Sequence, residues 1–218
     1  VIFNGDMLSN LTSEEQIFTG FMDESIKLFA KEKPLYYVRG NHETRGEYAT
    51  MCQKYFSPKE PHLYYMFSQG PVCFIMLDTG EDKPDTDLEY SGITDYDNYR
   101  NEQAEWLAQV VKSEEYRRAK WHVVVGHIPP RPVKDMWHGQ YEVLRKFVPI
   151  LNEAKVDVML CGHLHRHIIN KPDDEVKFPV VVNSLDHVIS GWTDGQNLHL
   201  DMYDTKGALV EKFIVKAK

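Results

Sequence analysis

The chain has 218 residues, 42% of them apolar and 27% charged, enough for one domain with a sizeable core and too balanced for a disordered segment. Its formal net charge of -8 offers no basic surface for nucleic acid or an anionic membrane, although bound cations could reverse the sign locally. No apolar run approaches the length of a membrane-spanning helix, and three cysteines without close spacing argue against a disulfide framework.

In chain order, strand-length apolar runs alternate with helical patterns, which is an α/β arrangement without repeats or an internal boundary. Val1 to Asn4 reads as the end of a buried strand, so a strand is expected to precede it. Thr12-Ser13-Glu14-Glu15 resembles a capping box, and apolar residues from Ile17 to Phe29 follow at helical spacing until Pro34. Leu35 to Val38 is the next strand, and a short helix is expected around Glu47 to Tyr55. Leu63 to Phe67 and Val72 to Leu77 read as neighbouring strands joined through Gln69-Gly70-Pro71.

Glu81 to Tyr99 is acidic, aromatic and aperiodic, and is expected to be a long surface loop with its acidic residues in solvent. A helix is expected from Glu102 to Tyr116, capped by Asn101. Trp121 to Val125 is a strand. Tyr141 to Ala154 is a helix that Pro149 should bend or break. Val156 to Leu160, Phe178 to Val182, Leu198 to Tyr203 and Leu209 to Val215 are the remaining strands. Cys73 and Cys161 fall in apolar runs and are expected to be inert core residues.

Polar residues able to bind metal recur directly after apolar strands. Asp6 follows Val1-Ile2-Phe3, Asn41-His42 follows Leu35 to Val38, His127 follows Val123-Val124-Val125, and His163 and His165 follow Val158-Met159-Leu160-Cys161. Ligands gather beyond the carboxyl ends of strands in α/β sheets, so four such ends would build one cluster. A carboxylate, an amide and three imidazoles suit zinc, manganese or iron, and a glycine before each of four ligands lets the chain turn close to an ion. Taken singly, Asp6 and Asn41 read as turn residues, and a His-x-His pair can stand on a surface without metal. Only the joint pattern carries the chemistry.

Gly5-Asp6, Gly40-Asn41-His42-Glu43, Gly126-His127 and Gly162-His163-Leu164-His165 resemble, in order, the later motifs of the calcineurin-like metallophosphoesterases. The family's first motif, Asp-x-His, is not in this chain. The resemblance implies a four-layer α/β/β/α sandwich of two mixed sheets with its first strand missing, residues 1–218 forming a catalytic domain incomplete at its N-terminus. It implies metal-dependent hydrolysis of phosphate mono- or diesters by a metal-activated water, with a phosphorylated substrate as the partner. Asp6 would bridge two divalent ions (Mn, Zn or Fe), with Asn41, His127 and His163 on one of them. His165 would help hold the other, so at most one ion would be well held by this chain. His42 would contact the phosphate or donate a proton to the leaving group, and Arg45 is a positional candidate for a phosphate contact.

Departures from the subgroups are informative. Asn10 replaces the arginine that protein Ser/Thr phosphatases carry in this motif. Ser9 stands where purple acid phosphatases carry a metal-binding Tyr, which speaks against a purple colour and an obligatory ferric ion. The competing readings are a catalytically incomplete metal- or ligand-binding module and a nuclease. The acidic long loop argues against the nuclease. An extracytoplasmic setting fits the purple-phosphatase side of the resemblance, while the cysteines give it no support. The segment Trp137-His138 and the long loop are candidates for shaping a substrate pocket.

Overall fold

The computed structural model describes residues 1–56, 62–131 and 136–216. The strands are β1 (Ile2–Asn4), β2 (Tyr36–Val38), β3 (Tyr65–Gln69), β4 (Val72–Leu77), β5 (Trp121–Gly126), β6 (Val158–Cys161), β7 (Ile168–Asn170), β8 (Val180–Val182), β9 (His187–Thr193), β10 (Asn197–Asp204) and β11 (Leu209–Lys216). The longer helices are α4 (Tyr96–Val110) and α6 (His138–Lys146). The shorter ones are α1 (Glu15–Ile17), α2 (Asp23–Ser25), α3 (Met51–Phe56), α5 (Glu114–Arg118) and α7 (Val148–Glu153). Two π-helical turns, Phe18–Met22 and Ile26–Ala30, join α1 and α2 into one helical segment.

A six-stranded mixed sheet runs in the order β3-β4-β5-β6-β8-β7. Strands β4, β5, β6 and β8 are parallel, and antiparallel β3 and β7 close the two edges. The central strands are almost continuously apolar because both faces are covered. On one face, Ile75, Leu77, Val124, Met159 and Val182 pack against Leu107 of α4, Val143 of α6 and Leu151 of α7. On the other, Met76, Trp121, Val123, Val125 and Val181 meet Leu198, Leu200 and Met202 of β10 and Val215 of β11. Strands β9, β10 and β11 form an antiparallel sheet of their own.

The parallel pair β1-β2 shows the period-2 logic of a buried ribbon. Ile2, Tyr36 and Val38 turn toward the cluster shared with β10, while Phe3 and Tyr37 turn toward Ile17, Phe21 and Leu11 under the first helical segment. The layers therefore read helix, sheet, sheet, helix, as expected for the fold class.

Several local expectations shift. The capping interaction near residue 12 lies one position later. Gln16 Oε1, not Glu15, accepts the backbone N–H of Thr12 (2.8 Å) and of Ser13 (3.3 Å). Helix α4 begins at Tyr96, so Asn101 lies inside it rather than capping it. The Asp85 carboxylate, reaching from the preceding loop, accepts the N–H groups of Tyr96 (2.9 Å) and Asp97 (2.8 Å). The expected helix to Tyr116 is two helices, with Ser113 capping α5 through the N–H of Tyr116. The break at Pro149 is present. It stands in the first turn of α7, where a missing N–H costs nothing. Strands β7 and β9 were not anticipated, since both are short or half-exposed and lack an apolar run. Cys52, Cys73 and Cys161 are free and buried, and burial pushes the Cys73 thiol up to about 11. No helix of the described residues is long and apolar enough to cross a membrane.

Candidate metal centre at the strand ends

Strands β1 and β2 are parallel, as are β5 and β6, so the turns that leave each pair open on a common side. Those turns carry Asp6, Asn41, His127 and His163. Ligand atoms of Asp6, His127 and His163 all lie within 4.8 Å of one another. Asn41 joins them through Oδ1, 3.0 Å from His163 Nδ1. The His127 and His163 rings stand edge to face, 5.4 Å between centroids. Asn41 and His127 are buried, whereas His165 is exposed and stands outside this group.

The backbone is bent for the purpose. Asp6 (φ 55°), His163 (φ 69°) and His165 (φ 53°) adopt left-handed conformations that side-chain-bearing residues rarely enter, at a cost of about 1–3 kcal/mol each. Gly5 (φ 74°) makes the turn into Asp6, and a Cβ there would stand 2.4 Å from the nitrogen of Gly40. A Cβ on Gly40 would stand 2.2 Å from Asp6 Oδ1. The two turns approach too closely for any side chain at either position.

The donors are oriented by the main chain. His127 Nδ1–H donates to the carbonyl of Asn4 at 2.7 Å, which leaves Nε2 as the nitrogen that faces the cluster. Burial works to lower this imidazole, but the neighbouring Asp6 carboxylate outweighs it and raises it, so without a metal the ring favours its protonated form. That Nε2 is buried, lies 2.9 Å from Asp6 Oδ2, and makes no well-angled hydrogen bond. Asp6 Oδ1 accepts the backbone N–H of His42 at 3.1 Å. Burial works to raise the Asp6 carboxyl, but the His127 imidazolium 2.9 Å away, with the His42 N–H, outweighs it and brings it to about 2. Burial, reinforced by the charge of His127, holds the His163 imidazole down to about 4 against the pull of Asp6. An ionised carboxylate, the neutral imidazole of His163 and an amide oxygen are donor states that a divalent ion requires, and an ion would take the place of the proton at His127 Nε2, which is buried without a well-angled acceptor. The residues present fit a metal.

His42 is half-buried, and its Nδ1–H donates to the carbonyl of Ser9 at 2.9 Å, which turns the ring about a fixed axis. Arg45 is placed differently from its positional expectation as a phosphate contact. Its guanidinium is bound by Glu81 (2.8 and 3.0 Å) and Asp82 (3.3 Å). Glu81 also accepts the hydroxyls of Thr44 (2.6 Å) and Tyr90 (2.8 Å). The start of the long loop is thus an internal acidic anchor, not a solvated run. Glu81 is 1% exposed and Asp82 8%. A fully buried Arg100 from α4 holds the same loop by donating to the carbonyls of Thr79 (2.9 Å) and Glu81.

Three contributors carried no legible role in the sequence. The carbonyls of Asn4 and Ser9 orient the two imidazoles, and main-chain oxygens leave no trace in residue identity. Glu43 was visible inside Gly40-Asn41-His42-Glu43 but had no assigned task. A second group, Asp97, His138 and Glu142, also brings ligand atoms within 4.8 Å. Arg100 pairs with Asp97 and Lys146 with Glu142, so their charge is already met.

A family model described as calcineurin-like phosphoesterase matches residues 1–167. Purple acid phosphatase 21 of Arabidopsis thaliana is 24% identical over 160 residues, covering 67% of this chain and 33% of its own length. Purple acid phosphatase 7 of the same plant is 27% identical over 146 residues, covering 62% and 43%. An uncharacterized protein of Mycobacterium tuberculosis is 25% identical over 186 residues, covering 78% and 34%. The chain therefore spans less than half the length of these relatives. Among solved structures, a purple acid phosphatase from yellow lupin (Lupinus luteus) seeds superposes with a TM-score of 0.71 at 16% identity, over 99% of this chain and 46% of that one. GAP50, the anchor in the inner membrane complex of Plasmodium, gives 0.55 at 18% identity, over 85% and 66%. At these identities the structural likeness is one of fold.

Proposed function

Since the chain belongs to the calcineurin-like phosphoesterase family, we propose that its strand-end cluster hydrolyses phosphate mono- or diesters with two divalent ions drawn from manganese, zinc or iron. The observation that carries this reading is the convergence of Asp6, His127 and His163, whose ligand atoms all lie within 4.8 Å of one another, with the buried His127 Nε2 2.9 Å from Asp6 Oδ2. Asp6, Asn41, His127 and His163 would hold one ion, and Asp6 with His165 would contribute to the other. When bound, such ions supply Lewis acidity toward the phosphoryl oxygens and lower the pKa of water.

The chain's own residues prepare that chemistry. Asp6 presents an ionised carboxylate in a position set by the His42 N–H. His163 stays neutral and is aligned by Asn41 Oδ1. Ser9 fixes the His42 ring by accepting its Nδ1–H, so that Nε2 is the nitrogen available to a substrate oxygen. We assign His42 to the phosphate or to proton delivery at the leaving oxygen.

A second reading, a metal- or ligand-binding module without turnover, is favoured by the exposed His165 standing outside the main group. The two separate in one experiment. The chain is supplied with Mn, Zn or Fe, and metal content is measured beside hydrolysis of p-nitrophenyl phosphate and its bis ester. Metal-dependent turnover abolished by Asp6→Asn supports the esterase. Metal binding without turnover supports the module, and absence of both overturns each reading.

A further inference from the structure

We infer that Glu43 is a positioning residue for the metal ligands: its carboxylate is an internal anion that clasps the turn carrying Asp6 to the turn carrying Asn41. The inference rests on the metal reading of the strand-end cluster. Glu43 is 0% exposed. The arginines on either side of it in sequence are engaged elsewhere, Arg39 by Asp78 and Arg45 by Glu81. What Glu43 holds is main chain. Its Oε2 accepts the N–H of Asp6 and the N–H of Gly40, each at 2.9 Å, and its Oε1 accepts the N–H of Leu8, also at 2.9 Å.

Hydrogen bonds to an ionised acceptor are roughly twice as strong as neutral ones, and converging backbone N–H groups form a natural anion nest. The nest here is assembled from two chain segments more than thirty residues apart, with the anion supplied by the protein itself. The consequence for the ligands is geometric. Pulling the Asp6 N–H inward helps fix its left-handed backbone, at φ 55°, from which the side chain meets His127 and the His42 N–H. Holding the Gly40 N–H fixes the step before Asn41, whose Oδ1 aligns His163. One carboxylate therefore sets two ligands without touching an ion.

Glutamine matches the shape of Glu43 but offers one oxygen and an NH2 group where the nest presents only donors, so at least one N–H loses its acceptor. Titration calorimetry of the metal-free 218-residue chain with Mn2+ or Zn2+ should show Glu43→Gln binding about 10- to 100-fold more weakly than the parent, the range for losing a residue that orients a ligand. Unchanged affinity in a folded Glu43→Gln protein overturns the inference while leaving the metal reading intact. A parent chain that binds no metal sinks the metal reading, and the inference with it. Where the variant does not fold, amide exchange in the parent decides. The N–H groups of Asp6, Leu8 and Gly40 should be protected without metal, and fast exchange at Asp6 and Gly40 overturns the clasp.

Discussion

The Nδ1–H of His127 donates to the main-chain carbonyl of Asn4 across 2.7 Å, and this bond decides which nitrogen faces the cluster. Asn4 ends β1 and His127 follows β5, so the bond also ties the two-stranded ribbon to the six-stranded sheet. His127→Ala removes the ligand and leaves the part-buried Asn4 carbonyl without its imidazole donor. We expect metal affinity to fall by more than about 100-fold, beyond the range for a merely orienting residue, and folding stability to fall by about 1–3 kcal/mol for the unsatisfied oxygen. Calorimetric titration and urea unfolding read the two effects separately. An unaltered metal affinity would remove His127 from the ligand set.

Arg45 and Glu81 give a second expectation, because geometry and sequence position point to different roles. A guanidinium bound to Glu81 and Asp82 anchors the long loop, whereas a phosphate contact would be free to meet substrate. Arg45→Met leaves Glu81 buried and unpaired, which should destabilise the chain by about 3 kcal/mol. Unfolding midpoints check this. A stable variant whose only defect is a raised KM for a phosphate ester would return Arg45 to substrate binding.

What the sequence disclosed follows the range of the interactions involved. Strand ends were legible because β4, β5 and β6 are buried on both faces and so read as apolar runs, with a glycine and then a histidine ligand at the ends of β5 and β6. The break at Pro149 was legible because proline acts locally. The start of α4 was not, since its first N–H groups are met by Asp85, eleven residues upstream, rather than by an adjacent cap. Nor was the burial of Glu81 and Asp82. An acidic run reads as solvated until Arg45 arrives from another turn and Tyr90 folds back from further along the same loop. Within the site, side-chain ligands could be read from their motifs, but the Asn4 and Ser9 carbonyls that aim them could not.

The cysteines test the packing of the core. Cys52, Cys73 and Cys161 are buried, in two different clusters, and burial raises each thiol. Thiolate is the reactive form, so all three should resist a thiol reagent at pH 8 in the native chain and react together once it is unfolded in urea. Rapid labelling of Cys161 in the folded state would contradict the placement of β6 in the centre of the sheet.

Asp85 offers the clearest pH dependence. Burial works to raise its carboxyl, but the N–H groups of Asp97 and Tyr96 outweigh that and hold it below the ordinary value. A carboxyl depressed in the folded state contributes stability above its unfolded pKa, and that contribution is lost as pH falls through the folded value. The window thus lies at and below the ordinary carboxylate range, and nothing changes near neutrality. Asp85→Ala should cost about 1 kcal/mol at pH 7, the usual value of an N-terminal cap. The gap between variant and parent should close as pH drops toward 3, because the parent alone loses the cap by protonation. Urea unfolding at pH 7, 5 and 3.5 follows the gap. A gap that stays constant across those values would mean that Asp85 acts through shape rather than charge, and a gap that widens at low pH would reverse the assigned sign.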